Sequence, residues 1–333
     1  MRAALGIFGL VHWLDRAAAL AAARLPPHRR PFSRGWGDRA LVEDYIARSA
    51  EQSPVDEITP VVRPDRRSGG IVMRDLSFES PEKGLPERVR IVRARWIEPV
   101  GGADRTAIIH PAWNDETYHT RRRLAGDLLE RGIGSVMIQH PFYGDRRREP
   151  DIENPIAYAS DFALMGRASV LEGRSLARWL VQEGRIAGVT GFSMGGNIAG
   201  FVTATVDVPV ASAPIAAAYS PGPVFTDGVL SQSINWEALG GHTEETVTAL
   251  TRFLHAPSIL KFPPPDHTAA AVLLAATRDG FVPTGAASAV HRHWPGSKMN
   301  WVNAGHASLL WSMRDRMVET IVEAFERFEE RYR

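Results

Sequence analysis

The sequence contains no cysteine, which excludes disulfide staples, thiolate metal sites and a cysteine nucleophile. Lysine is nearly absent too. Lys83, Lys261 and Lys298 are the only lysines among 39 basic residues, and all the others are arginine. Formal net charge is only +1, so no overall field draws the chain toward nucleic acid, and no nucleic-acid partner is expected. No apolar run approaches the roughly 20 residues needed to span a bilayer. Internal repeats and low-complexity tracts are also lacking. What is present is a 333-residue chain with 44% hydrophobic residues, which suffices for a core without staples.

The first residues need separate treatment. Arg2 precedes an apolar stretch over residues 3–14, and small residues follow at 21–23, the outline of a secretory signal. His12, Asp15 and Arg16 interrupt that outline, and no crisp cleavage site follows. Ile7, Phe8, Val11 and Leu14 instead recur on one helical face. The expectation is a helix that packs on the domain or lies on a membrane surface, in a cytoplasmic protein with peripheral membrane contact. Residues 25–70 are rich in Pro and Arg, with a helical stretch near 41–50, so residues 1–70 read as a helical extension.

Residues 71–333 read as one domain. An early strand pair is predicted over 71–78 and 89–97. Short apolar runs at 107–110, 135–139, 188–191, 213–218, 271–276 and 299–302 then alternate with helical patterns at 120–131, 161–183, 194–205, 284–293 and 308–331. Such alternation predicts a mostly parallel sheet with helices on both faces. The alternation lapses between about 220 and 265, which reads as a lid-like insertion at the C-terminal edge of the sheet.

One motif carries chemistry. Gly191-Phe192-Ser193-Met194-Gly195 matches G-x-S-x-G, between a predicted strand and a predicted helix. The turn is tight, so the residues two before and two after the serine must be small. Gly196, Ala199 and Gly200 keep the following helix thin enough to lie close to the sheet. The Met194 N–H, at a helix N-terminus, is the expected oxyanion donor. A serine needs a base, and this strand–turn–helix arrangement implies the chain order Ser, acid, His. Asp279 follows the end of a strand in the string Asp279-Gly280-Phe281-Val282-Pro283, and His306 lies on the loop after the last strand. Ser193, Asp279 and His306 are therefore the expected nucleophile, orienting acid and base of a serine hydrolase with the α/β-hydrolase fold. A second oxyanion donor is expected on the loop after the third inner strand, where His110 ends the strand and the Ala112 N–H is the candidate. The glycines usual there are missing, and Trp113 stands where one is expected.

Two arginine triplets, Arg121–Arg123 and Arg146–Arg148, should start near the same sheet edge. Solvated charge or local ion pairs would account for them. A patch holding a phosphate or carboxylate is the sharper expectation. His110, Trp113, Tyr143, Arg121 and Arg122 are accordingly the expected substrate contacts. No cofactor and no metal is expected. The partner is a small-molecule or lipid ester. A thioesterase, or a binding protein that keeps the fold without turnover, is the alternative.

Longer strings point to a particular family. Phe32-Ser33-Arg34-Gly35-Trp36-Gly37, Pro141-Phe142-Tyr143-Gly144, the elbow with its helix, residues 228–236, Trp294-Pro295-Gly296 and residues 324–328 together resemble the α/β-hydrolase domain-containing protein 18 family, in its bacterial form. The resemblance covers most of the chain and implies a serine-hydrolase triad at Ser193, Asp279 and His306. The chain departs from the family in a shorter insertion before the acid strand and in the loop after His110.

Overall fold

The computed structural model describes residues 11–63, 66–148 and 156–332. Ile7 and Phe8 of the proposed apolar face lie outside the described residues. In chain order the elements are α1 (Trp13–Ala23), α2 (Arg39–Ala47), β1 (Val61–Val62), β2 (Arg66–Ser68), β3 (Ile71–Glu79), α3 (Glu87–Arg90), β4 (Ile91–Pro99), β5 (Arg105–His110), α4 (His119–Leu129), β6 (Ile133–Ile138), α5 (Ala159–Gln182), β7 (Ile186–Phe192), α6 (Met194–Thr205), β8 (Ala211–Ile215), α7 (Gly222–Thr226), α8 (Trp236–Leu239), α9 (Glu244–His255), β9 (Val272–Ala276), α10 (Thr284–His293), β10 (Lys298–Val302), α11 (His306–Ser312) and α12 (Arg314–Tyr332).

These strands form one sheet in the order β1-β3-β4-β6-β5-β7-β8-β9-β10, with β2 beside β3. The β3–β4 and β4–β6 pairings are antiparallel, and every neighbouring pair from β6 through β10 is parallel. All of β6 and β7, and all of β5 after its first residue, are buried, as central strands covered on both faces must be. One face packs Leu124, Ala125 and Leu128 of α4 and Val318, Ile321, Phe325 and Phe328 of α12. The other packs Leu176, Ala177 and Leu180 of α5 and Ile198, Ala199 and Val202 of α6. This is the α/β-hydrolase arrangement, with the mostly parallel sheet between two helical layers.

Two differences from the sequence pattern have local causes. The expected helix over 308–331 is two helices, because Met313 leaves the helical region at φ −127° and ψ 34°. The break lets α11 follow the loop that carries His306 while α12 turns to lay its apolar stripe on the sheet. In the N-terminal segment the buried positions are Val11, Asp15 and Ala19, whereas Leu14 is only half-buried.

The insertion and the N-terminal extension pack against each other. Phe32, Trp36, Val42 and Tyr45 join Phe225, Ile234, Leu239, Leu250, Phe253 and Leu254 in one apolar cluster. The Trp36 indole N–H donates to the Leu239 carbonyl at 3.0 Å, and the Asn235 N–H donates to the Pro31 carbonyl at 3.2 Å. No described helix is long and apolar enough to cross a membrane.

Candidate active site

Ser193 stands between the end of β7 and the start of α6, with φ 57° and ψ −118°. A side chain at positive φ is strained, and the surroundings hold it there. The Ser193 N–H donates to the Ile215 carbonyl at 2.9 Å, and the Asn197 N–H donates to the Ser193 carbonyl at 2.9 Å. Glycine is required on either side. A Cβ on Gly191 would lie 2.5 Å from the Gly195 backbone, and one on Gly195 would lie 2.4 Å from the His110 carbonyl oxygen. The second of these contacts also brings the loop after β5 against the elbow.

The base and the acid arrive on neighbouring loops. Asp279 lies three residues beyond β9, and His306 opens α11 just beyond β10. His306 Nε2 is 2.8 Å from the Ser193 hydroxyl, and its Nδ1 is 2.7 Å from Asp279 Oδ2. The other carboxylate oxygen of Asp279 accepts the Phe281 and Val282 N–H groups, both at 2.8 Å. Phe281 stacks on the imidazole at 4.9 Å, and Phe192 tilts against it at 4.6 Å. The three side chains thus form an unbroken hydrogen-bonded relay, and both members behind the serine are buried. Such a relay can take a proton from Ser193 and return it to a leaving group.

Ser193 opens into a cavity of about 890 Å³. Ala112, Trp113 and Met194 are among the residues that line it with the serine. In that loop the turn falls to Asn114, at φ 61°, where glycines were expected. Most of the lining is apolar, including Phe162, Met165, Ile198, Phe201, Val224 and Phe225. The lining follows α5 from Phe162 to Arg174, about 18 Å at the helical rise of about 1.5 Å per residue. Ala18, Ala22 and Leu25 contribute from the N-terminal segment, and Leu310 and Trp311 from α11.

Four of the expected substrate contacts are corrected. His110 is buried and does not border the cavity; its Nδ1 lies 3.4 Å from Nε2 of His140, which does. Tyr143 is fully buried, and its hydroxyl accepts the Asn114 N–H at 3.3 Å, so it shapes the loop from behind. Arg121 is buried too. It pairs with Asp115 at 2.7 Å and donates to the carbonyls of Ile109, Ile138 and Thr117, so its donors point into the fold rather than at a ligand. Arg122 is exposed, one helical position round from Arg121, and is not part of the cavity wall. The second triplet is likewise engaged within the fold, through Glu172, Glu116 and Asp161. Four acids and three carbonyls, most of them brought close only by folding, have absorbed charges that looked available for a ligand.

The residues that sequence reasoning missed are Asp15, His140, Asn197 and Phe281. Asn197 clamps the loop that follows β8, donating to the Ala218 carbonyl and accepting its N–H, both at 3.1 Å. His140 and His110 form a buried pair. Burial, and then the Arg121 charge, push His110 down to about 3, while burial and the His110 charge hold His140 well below the usual imidazole range. Both are therefore neutral at pH 7.

The sheet order and the strand–serine–helix elbow define the chain as an α/β hydrolase. Solved structures of this fold agree. An acetyl xylan esterase from a Thermoanaerobacterium species is 15% identical, with a TM-score of 0.57, covering 90% of this chain and 99% of its own. An acetyl xylan esterase from a Paenibacillus species is 14% identical with the same TM-score and coverage. The α/β hydrolase GrgF of a Penicillium species is 15% identical at TM-score 0.52, covering 77% and 98%. More specifically, the chain belongs to the family described as alpha/beta hydrolase domain containing 18, which it matches over residues 29–250 and 240–327.

Proposed function

We propose that the protein is a serine hydrolase that cleaves a carboxylic ester with a long apolar acyl group through an acyl-enzyme intermediate. The observation that carries this reading is the relay from Ser193 through His306 to Asp279, at 2.8 and 2.7 Å, opening into a large apolar cavity. Ser193 Oγ attacks the ester carbonyl while His306 Nε2 takes its proton. The developing oxyanion is met by the Met194 N–H and by the Ala112 N–H across the elbow. His306 then protonates the leaving alkoxide, and the acyl group stays on Ser193. Water next attacks the acyl-enzyme with its proton passing to His306, and that proton returns to Ser193 as the acid departs. Asp279 holds the Nδ1–H throughout and stabilises the imidazolium.

A cavity of this size suits a lipid ester or another long acyl ester. Trp13 (66% exposed) and Leu20 (51%) on α1, and Trp311 (69%) on α11, project into solvent, and Trp311 also borders the cavity. In this reading they touch the lipid surface from which the substrate is drawn.

The test is a fluorophosphonate probe together with a p-nitrophenyl ester series. The parent should label at Ser193, and Ser193→Ala should not, with kcat down on the order of 10⁶-fold. From acetyl to decanoyl, kcat/KM should rise by up to about fourfold per methylene, the equivalent of about 0.8 kcal/mol for each one buried. An unlabelled parent would overturn the catalytic reading in favour of a binding protein, and a flat or falling series would overturn the long-chain assignment. Cosedimentation with anionic phospholipid vesicles should weaken in a Trp13→Ser, Trp311→Ser double variant; parental binding by that variant would remove the membrane contact.

A further inference from the structure

Asp15 lies on α1, far in sequence from every residue of the relay, yet it touches both loops that carry the relay. Its side chain is completely buried. Oδ2 accepts the Gly280 N–H at 2.9 Å and the His306 N–H at 2.7 Å, and Oδ1 accepts the Ala307 N–H at 2.9 Å. Among the described residues no cation pairs with it. A carboxylate so buried is tolerable only where donors satisfy it, and three backbone N–H groups do so. They come from the residue after Asp279, from His306 itself and from the residue after His306.

A second observation points the same way. The glycine beside each relay residue is where α1 lands. A Cβ on Gly280 would lie 2.6 Å from Val11 Cγ1 and 3.1 Å from Asp15 Cβ. A Cβ on Gly305 would lie 2.4 Å from His12 Cβ and 2.8 Å from Asp15 Oδ2. The His12 N–H completes the contact by donating to the Arg278 carbonyl at 3.0 Å. Both loops are thus stripped of side chains where the N-terminal segment comes down on them.

We propose that Asp15 is a positioning residue: its carboxylate clamps the acid loop to the base loop and so fixes the separation of Asp279 from His306. Beyond the strand ends at Ala276 and Val302, backbone bonds join the two loops only as far as the Arg278 N–H to the Ala304 carbonyl, at 3.0 Å, after the Thr277 N–H to the Val302 carbonyl, at 2.9 Å. The clamp carries that register on to Gly280, His306 and Ala307, past the last bond between the loops' own backbones. The N-terminal segment is then a working part of the site as well as one wall of its cavity. The turnover arm of the test rests on the acyl-enzyme reading above; the spectroscopic arm does not.

The experiment compares full-length parent, Asp15→Ala and Asp15→Asn at a temperature where circular dichroism shows each folded. The first readout is the low-field proton resonance of the His306–Asp279 hydrogen bond. It should be sharp in the parent, broadened or lost in Asp15→Ala, and intermediate in Asp15→Asn, whose amide oxygen can still accept while its NH2 meets a donor. The second readout is kinetic. Asp15→Ala should lower kcat about 100-fold with KM within about twofold, the pattern of a misplaced base rather than a lost binding contact. If Asp15→Ala does not fold, Asp15→Asn carries both readouts. A parental resonance in the folded variant overturns the clamp. Parental kcat in a folded variant does so equally. A parent with the resonance but without turnover or probe labelling would overturn the proposed function and leave the clamp standing.

Discussion

Arg146 is buried, and its guanidinium meets both oxygens of Glu172, at 2.6 and 2.9 Å, along with the carbonyls of Gln139 and Val89. Glu172 is equally buried, on α5. Removing one partner strands a charge in the interior, at a cost of about 3–5 kcal/mol, whereas replacing both by apolar groups of similar volume is often neutral. Arg146→Met should therefore lower the urea unfolding free energy by about 3–5 kcal/mol, and Arg146→Met with Glu172→Leu should recover much of that loss. A double variant no better than the single would mean that the two charges do not act as a pair. At this scale the sequence is legible where a residue's neighbours along the chain determine its place. Ser193 lies between a strand and a helix with glycines on either side. Asp279 and His306 each follow a strand end, and the structure brings all three to hydrogen-bond distance. The arginines were not legible, because a run of like charges reads the same whether it faces water or a buried acid many residues away. Asp15 did leave a signal: it falls four residues from Val11 and from Ala19, on what proves to be the buried stripe of its segment. A carboxylate on such a stripe asks for donors, and those donors lie nearly the whole chain length away.

At the scale of elements, strand and helix positions followed from periodicity because each inner strand is a short, largely apolar run and each covering helix has one apolar face. Contacts between elements are another matter. The extension and the insertion read as separate additions to the domain, yet Phe253 of α9 meets Trp36, Tyr45 and Phe162 with ring centroids 6.3, 5.7 and 6.2 Å apart. The Trp36–Leu239 hydrogen bond spans 203 residues of sequence, a separation that no local pattern encodes. Phe253 is completely buried, so Phe253→Ala should remove about 3–5 kcal/mol from this cluster. Its ring contacts join α9 to the extension and to α5 rather than to the sheet. Amide exchange should consequently accelerate in α2 and α9 while β5–β7 keep their protection. Equal acceleration throughout would show that the cluster does not open as a unit of its own.

For the molecule as a whole, the buried histidines set how stability depends on pH. His110 is held down to about 3 by burial and the Arg121 charge. His140 is held well below its ordinary value by burial and the His110 charge, and His267 is lowered by burial where its Nε2 meets the Thr203 carbonyl at 2.9 Å. In the unfolded chain all three titrate near about 6.5. Below that value the unfolded state binds protons that the native state refuses, so stability is fully present above about pH 6.5 and falls as pH drops toward the folded values. Each group that stays neutral in the native state steepens the fall by up to about 1.4 kcal/mol per pH unit. Carboxylates lowered by partners, such as Glu323 beside Lys298, act in the same direction at lower pH, so the slope of the parent alone does not isolate the histidines. A comparison does. His110→Gln with His140→Gln removes two titrating groups and leaves the carboxylates untouched. Whatever its stability at pH 7.5, the double variant should lose less between pH 7 and pH 5 than the parent, by up to about 4 kcal/mol for the two groups once the curvature near the unfolded value is included. Urea unfolding free energies measured at half-unit steps would show this as a difference between the two curves that shifts steadily in the variant's favour as the solution is acidified. Parallel curves would mean that the native fold accepts protons on this pair, and that the polar layer beneath the elbow is open to water.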